Sequence, residues 1–306
     1  MSEATIKTIN MVSGESIKSA QAVPGENIKN VLGIGVGGGD RFASQVNSTE
    51  TLAAWWSPNG AAAGDLADGA LAMASMGHDA NPNIICTTAS TGNWSIVADN
   101  ISDEARSLMS AANSDLADGS NFIAIDSGTP PSSDLADCLE DEDGTFAGFA
   151  FFKNNGADWD SANYGNIFQW YGDSDSSTAQ MGTYVGLGFY KGSSSQGKIR
   201  MSTAQTLDIT GATYMDVGTW YFIGWRQTST ANFAIYVVEV GDDWSNADES
   251  SGAADYSKDG LTLGMAMKGG GPQGFDGWRW GPLGFFTSDI GESALQAIFE
   301  AIPAGH

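Results

Sequence analysis

Gly218 to Gly241 reads GTWYFIGWRQTSTANFAIYVVEVG. Two stretches inside it, Trp220–Arg226 and Asn232–Val240, are dense in aromatic and β-branched residues and are fenced by Gly, Ser, Thr and Asn, the marks of β-strands. The second, NFAIYVVEV, alternates well enough to predict one buried and one wet face. Outward from this segment the texture repeats. Leu52–Trp56, Asn121–Ile125, Thr145–Phe152, Gly165–Trp170, Thr183–Tyr190, Lys198–Met201, Leu261–Met267 and Arg279–Phe286 read as further strands, with turn residues between them. Two stretches carry helical stripes. Ser102–Asn113 has Ala105, Leu108, Met109 and Ala112 behind a Ser102 cap, and Ser288–Ile302 has Ile290, Ala294, Ala297, Ile298 and Ile302 behind Ser288. Many short strands with two short helices predict an all-β sandwich.

Composition agrees. Of 306 residues 40 are glycine, nearly twice the average share of about 7%. With 10 Trp, 14 Phe and 8 Tyr beside them, a helical bundle is excluded and enough apolar surface is present to fold. Thirteen Lys and Arg against 37 Asp and Glu give a net charge of −24, which repels phosphate backbones and anionic lipid. No basic patch offsets it, so neither nucleic acid nor membrane is an expected partner. Strong charge with few lysines suits a salty medium, where self-repulsion is screened. No apolar run reaches the roughly 18 residues of a membrane helix. The start, MSEATIKTIN, has neither the basic nor the apolar region of a signal peptide, so release by another route, such as a particle freed by lysis, is expected. Cys86 and Cys138 are too few for a disulfide framework and are expected to be reduced.

The first fifty residues carry an eleven-residue repeat: IKTINMVSGES from Ile6, IKSAQAVPGEN from Ile17 and IKNVLGIGVGG from Ile28. Apolar residues recur at its first, fourth and seventh places (Ile6, Ile9, Val12; Ile17, Ala20, Val23; Ile28, Val31, Ile34), and each copy is closed by Gly or Pro-Gly. Such breakers stop a helix within two turns, so three short extended segments are predicted. One such unit cannot bury its apolar side, which predicts docking on symmetry mates or on another protein. Residues 1–49 are therefore read as an attachment arm and residues 50–306 as the sandwich, with Gly35–Gly39 as a hinge. Gly33, Gly35 and Gly38 satisfy G-x-G-x-x-G, but no βαβ unit follows and the match is assigned to the linker. The string DLAD recurs at Asp65–Asp68, Asp115–Asp118 and Asp134–Asp137. Its flanks differ and it lacks the oxygen spacing of an EF-hand, so it is read as a repeated turn.

Five segments in order resemble the concanavalin A-like, laminin-G-like jelly-roll domains of lectins and glucanases. TLAAWWSP at Thr51–Pro58 resembles their opening strand, DGTFAGFAFFK at Asp143–Lys153 and YGNIFQWYGD at Tyr164–Asp173 the strands that follow. GTWYFIGWRQTSTANFAIYVVEVG is similar to their central motif, with Trp220, Ile223, Arg226 and Tyr236 in the matching places, and DGWRWGPLGFFTSDIGESALQAIFEA at Asp276–Ala301 to their closing strand and helix. The resemblance spans Thr51–Pro303, with an insertion around Met76–Ser120. The eleven-mers resemble repeats of structural proteins in marine bacteriophages. Together the two resemblances imply a virion structural protein, a capsid decoration, head fibre or tail component, assembled in the host cytoplasm and displayed on the virion surface.

Glycoside hydrolysis on such a fold uses two carboxyls about 5 Å apart, written E-x-D-x-E, and no such string occurs. Glu140 to Asp143 are consecutive acids that read as a solvated loop. His78 and His306 are the only histidines and no G-x-S-x-G is present, which argues against a nucleophilic triad and against zinc. A non-enzymatic protein is expected. Sugars are gripped by aromatic faces and carboxylate hydrogen bonds, and the candidates are Trp159, Trp170, Tyr171 and Trp244, each beside acids. Asp158, Asp160, Asp173 and Asp175 are candidate ligands for Ca²⁺, which takes six to eight oxygens. Ile6, Ile9, Ile17, Ile28 and Val31 are the expected contacts of the arm with capsid or tail proteins or with the other copies of a homo-oligomer, a trimer being one such assembly. Cell-surface glycans are the expected ligand of the sandwich. The alternative is a bacterial extracellular polysaccharide-binding or glucanase-like protein.

Overall fold

The computed structural model describes residues 30–31, 34–35, 38–77, 81–88, 91–101, 104–110, 122–126, 132–135, 147–154, 165–171, 185–191, 196–203, 208–210, 215–229, 232–246, 248–253, 262–265 and 278–302. The chain divides into two compact units, Met1–Gly37 and Gly38–His306. In the first, β1 (Asn30–Val31) pairs antiparallel with β2 (Ile34–Gly35), Val31 opposite Ile34. Ile6, Ile9, Ile17 and Ile28 lie outside the described residues.

The second unit is two antiparallel sheets that share one strand. The first sheet runs β18 (Asp248–Ala253), β17 (Asn232–Glu239), β16 (Trp220–Ser229), β10 (Ala147–Asn154), β20 (Trp278–Phe286), β3 (Leu52–Ser57) and β5 (Leu71–Ser75). The start of β20 also pairs with β8 (Glu104–Ser110), which leads to β7 (Trp94–Ile101) and β4 (Gly64–Asp65). The second sheet leaves β5 for β6 (Ile84–Thr87), β9 (Phe122–Ile125), β19 (Thr262–Met265), β11 (Gly165–Tyr171), β12 (Val185–Lys191) and β13 (Gln196–Thr203), with β14 (Asp208–Thr210) and β15 (Met215–Asp216) on its edge. All ten strands expected from sequence are present. The β-sandwich is the fold.

Alternation decides what each face of the first sheet buries. Phe233, Ile235 and Val237 of β17, with Tyr221, Ile223 and Trp225 of β16, enter the core between the sheets, where Ile84, Cys86 and Ile123 of the second sheet meet them. Ala234, Tyr236 and Val238, with Phe222 and Phe149, are buried on the opposite face. The face of NFAIYVVEV predicted to be wet is therefore dry. It is covered by two helices, α1 (Gly38–Ser48), which brings Phe42 and Val46, and α2 (Glu292–Glu300), which brings Leu295, Ile298 and Phe299. A strand dry on both faces reads as a nearly unbroken apolar run, as this one does.

Three local expectations are corrected. Gly38–Ser48, read as the hinge and the end of the arm, is a helix whose Phe42 packs edge-on to Trp55, Phe149 and Phe151 at centroid distances of 5.9, 5.9 and 5.6 Å. Phe42 and Val46, one turn apart, anchor it against the sheet, so the compact unit opens at Gly38 and not at position 50. Ser102–Asn113, read as a helix, contains the strand β8, in which Leu108 faces Ile96 of β7 and is fully buried. Its 3–4 spacing was coincidental, and pairing with β7 and β20 overrode helix propensity. Ser288 does not cap α2. It donates to Thr51 Oγ1 at 3.0 Å, and the helix starts after Gly291, whose φ of 77° suits glycine.

In the first DLAD string Asp65 ends β4 and a turn begins at Asp68, whereas of the third only Asp134 and Leu135 are described and both are helical. Leu66 and Leu135 are both buried in the core between the sheets, while Asp65 accepts from Ser95 Oγ at 2.7 Å and Asp68 from the Thr88 backbone at 3.1 Å. Asp115–Asp118 lies outside the described residues.

Candidate functional site

Most of the aromatic and acidic positions expected to bind ligand fall where nothing is described. Trp159, Asp158, Asp160, Asp173 and Asp175 lie outside the described residues, as do Cys138, His78 and the Glu140–Asp143 run. Trp170 and Tyr171 are successive residues of β11, and their backbones pair with Leu263 and Thr262 of β19.

Trp244 is described in full, and it is 7% exposed. Its ring stacks on Tyr236 at 5.7 Å and an interplanar angle of 29°, and meets Phe299 at 5.7 Å and Phe222 at 6.2 Å. Its Nε1 donates to Glu292 Oε1 at 3.2 Å. A ring so enclosed cannot be an open stacking platform; only an edge of it remains to line a surface.

That edge lines a cleft of about 220 Å³, bordered by Gly241, Asp242, Asp243, Phe299, Glu300 and Ile302. The site forms where β17 ends and α2 returns. Gly241 turns the chain with φ of 97°. Asp242 Oδ1 then accepts from the Asp243 backbone at 2.8 Å and Asp243 Oδ1 from the Ser245 backbone at 2.9 Å, which fixes both carboxylates at the rim. The Ser245 backbone N–H, reinforced by the Ser245 side chain, holds the Asp243 carboxyl below the ordinary aspartate range. Across the cleft, Gln296 Nε2 donates to Glu300 Oε1 at 2.7 Å. The floor is apolar, made by Phe299, Ile302 and the indole edge. Three carboxylates around an apolar floor can accept hydroxyl hydrogen bonds while the floor takes the C–H face of a ring. The sequence marks Asp242 and Asp243 beside Trp244, but no local signal links them to Phe299, Glu300 and Ile302, which a distant helix brings in.

Among the described residues no group of three or more His, Cys, Asp or Glu is arranged to hold a metal. No described helix is long and apolar enough to cross a membrane.

No protein-family description matches the sequence, and no curated protein matches it. Solved structures do resemble the fold. The binding domain of Paraclostridial Mosquitocidal Protein 1 superposes with a TM-score of 0.52 at 10% identity, over 82% of this chain and 52% of that one. The receptor-binding domain of botulinum neurotoxin C/D mosaic serotype gives 0.47 at 8% identity, over 82% and 51%. Domain 4 of the arabinanase AbnA of Geobacillus stearothermophilus, solved with arabinotriose, gives 0.47 at 11%, over 81% and 98%. This chain spans about half the length of the two toxin domains. Identities this low speak to the fold alone.

Proposed function

We propose that this chain is a non-enzymatic, glycan-binding structural protein of a bacteriophage virion. On this reading the sandwich is displayed outward as a capsid decoration, head fibre or tail component, and the N-terminal eleven-mers attach it. The observation that carries the binding role is the acid-rimmed cleft at Gly241–Trp244 and Phe299–Ile302, with room for a single sugar ring. Its carboxylates favour a neutral sugar, since a uronate or sialate would meet Asp242, Asp243 and Glu300 as like charges. The fold shared with a toxin's binding domain supports a binding module, and the sequence has no E-x-D-x-E string for retaining hydrolysis.

The arm is proposed to dock through Ile6, Ile9, Ile17, Ile28 and Val31 on capsid or tail proteins, or to join copies of this chain into a homo-oligomer. Trp159, Trp170 and Tyr171 remain proposed additional sugar contacts, and Asp158, Asp160, Asp173 and Asp175 proposed Ca²⁺ ligands.

The test is binding of the full chain to a glycan array, with and without EDTA, beside Asp243→Asn. Retention of a neutral glycan that weakens in the variant supports the reading, and a flat array overturns it. Loss of binding in EDTA supports the calcium ligands. Release of reducing sugar from laminarin would instead favour the glucanase-like alternative. For the arm, sedimentation of the full chain against a chain starting at Gly38 is expected to show a larger assembly only in the former.

A further inference from the structure

At the same end of the β16–β17 pair as the cleft, but on separate residues, two cations converge on one carboxylate. Lys153 Nζ donates to Asp99 Oδ1 at 3.2 Å and Oδ2 at 3.0 Å, and the Arg279 guanidinium pairs with the same Oδ2. Cross-strand register builds the cluster, since Lys153 of β10 stands between Trp220 of β16 and Arg279 of β20. Asp99 arrives from β7. Lys153 Nζ also lies 5.4 Å from the centre of the Trp220 ring. The three charged side chains keep only 12%, 14% and 18% of their surface for Lys153, Asp99 and Arg279.

Among the described residues, formal charge does not close in this cluster. Two positive groups that are largely withdrawn from water face one negative group, and such a surplus is costly unless a further anion or hydrogen-bond acceptor meets it. Donors are in surplus as well. A lysine ammonium has three N–H groups and a guanidinium five, yet among the described residues Asp99 is their one anionic partner. Arg279 Nε and Trp220 Nε1 are buried with no hydrogen-bond partner among the described residues. Elsewhere on the same sheet a cation is matched one to one, Arg226 with Asp289. In a chain of net charge −24, a largely buried spot where two cations meet one acid among the described residues stands against the overall field.

We infer that Lys153 and Arg279 form a binding site for a tetrahedral or planar oxyanion, a sulfate or a carboxylate, with Asp99 orienting both cations. A guanidinium suits such groups because its N–H pairs point in parallel. The anion can come free from the medium or as the acid group of a uronic or sulfated sugar. The site does not rest on the neutral-sugar cleft.

The experiment is thermal unfolding of the full chain in sodium sulfate, sodium glucuronate or glucose, each against sodium chloride at matched ionic strength. A ligand held by the folded state raises the midpoint with concentration. Sulfate and glucuronate are both expected to raise it through this site, whereas any rise with glucose belongs to the cleft and is expected to be the same in the native chain and in Lys153→Met. Lys153→Met keeps the stem on Trp220 and removes the surplus charge, so the apparent affinity is expected to fall by ~10-fold or more. Asp99→Asn raises the local charge and is expected to tighten binding several-fold, each variant being read against its own chloride baseline. These opposite signs separate a site from the general stabilisation that sulfate gives any fold. Either variant alone keeps the test alive if the other fails to fold. Response to sulfate alone supports an inorganic or sulfate-ester ligand, and response to glucuronate alone a sugar carboxylate. Equal responses in the native chain and both variants mean an adventitious ion only, and overturn the inference. Asp243→Asn is expected to leave the anion response unchanged, so failure of the cleft and failure of this site are read separately.

Discussion

Arg226 grips Asp289 with two parallel hydrogen bonds, Nε to Oδ1 and Nη2 to Oδ2, both 2.9 Å. The pair ties β16 to the segment that leads into α2, the helix that supplies one wall of the cleft. Asp289 Oδ1 also accepts from the Gly291 backbone at 2.9 Å, so one carboxylate sets the point at which the helix begins. The bond to Asp289 holds the Arg226 guanidinium above its ordinary pKa, so the cation persists at every working pH.

Asp289→Ala is therefore expected to cost about 1.5–3 kcal/mol, the range for hydrogen bonds to charged groups, and to loosen α2 first. Denaturant unfolding gives the loss, and hydrogen exchange should place the earliest deprotection at 292–300.

Phe42 belongs to the sandwich although it lies before β3, the first of the sandwich's strands. Phe42→Ala is expected to cost about 3–5 kcal/mol, because it empties a socket formed by Trp55, Phe149 and Phe151. A chain beginning at Thr51 should show the same lowered melting temperature, while one beginning at Gly38 should melt as the full chain does.

Gly148 is where β10 lets an indole cross it. A Cβ there would overlap the Trp225 ring and come within 2.7 Å of the Gly284 carbonyl oxygen. Gly148→Ala is expected to destabilise by about 1–3 kcal/mol or more through forced displacement of that ring. Intrinsic tryptophan fluorescence should shift along with the unfolding midpoint.

Cys86 is buried, and burial, aided by the negative Asp68, pushes its thiol up to about 12. The thiolate that reacts with disulfide reagents is thus scarce at pH 8. Peptide mapping after labelling should find Cys86 unmodified in the native protein and modified once denaturant is added.

The Asp243 carboxylate should titrate below the ordinary aspartate value of 3.8. A depressed folded pKa stabilises above the unfolded value, and that contribution fades as pH falls through the folded value. NMR titration of the side chain checks the direction. Since Asp243 stays ionised well above its lowered pKa, its contribution to neutral-glycan affinity should be flat between about pH 5 and 8.

The sequence by itself determined the all-β class and ten of the strands, because alternation, aromatic density and turn residues are local properties that each segment carries alone. Tertiary structure alone decided the rest. It made Glu104–Ser110 a strand, because hydrogen bonds to β7 and β20 come from residues remote in the chain. It dried the second face of β17, because α1 and α2 arrive from opposite ends of the sequence to cover it. It also joined Trp244 to Phe299 and Ile302, and Lys153 to Asp99 and Arg279. Such sites depend on which distant segments come to share an edge, and no periodicity within a segment encodes that.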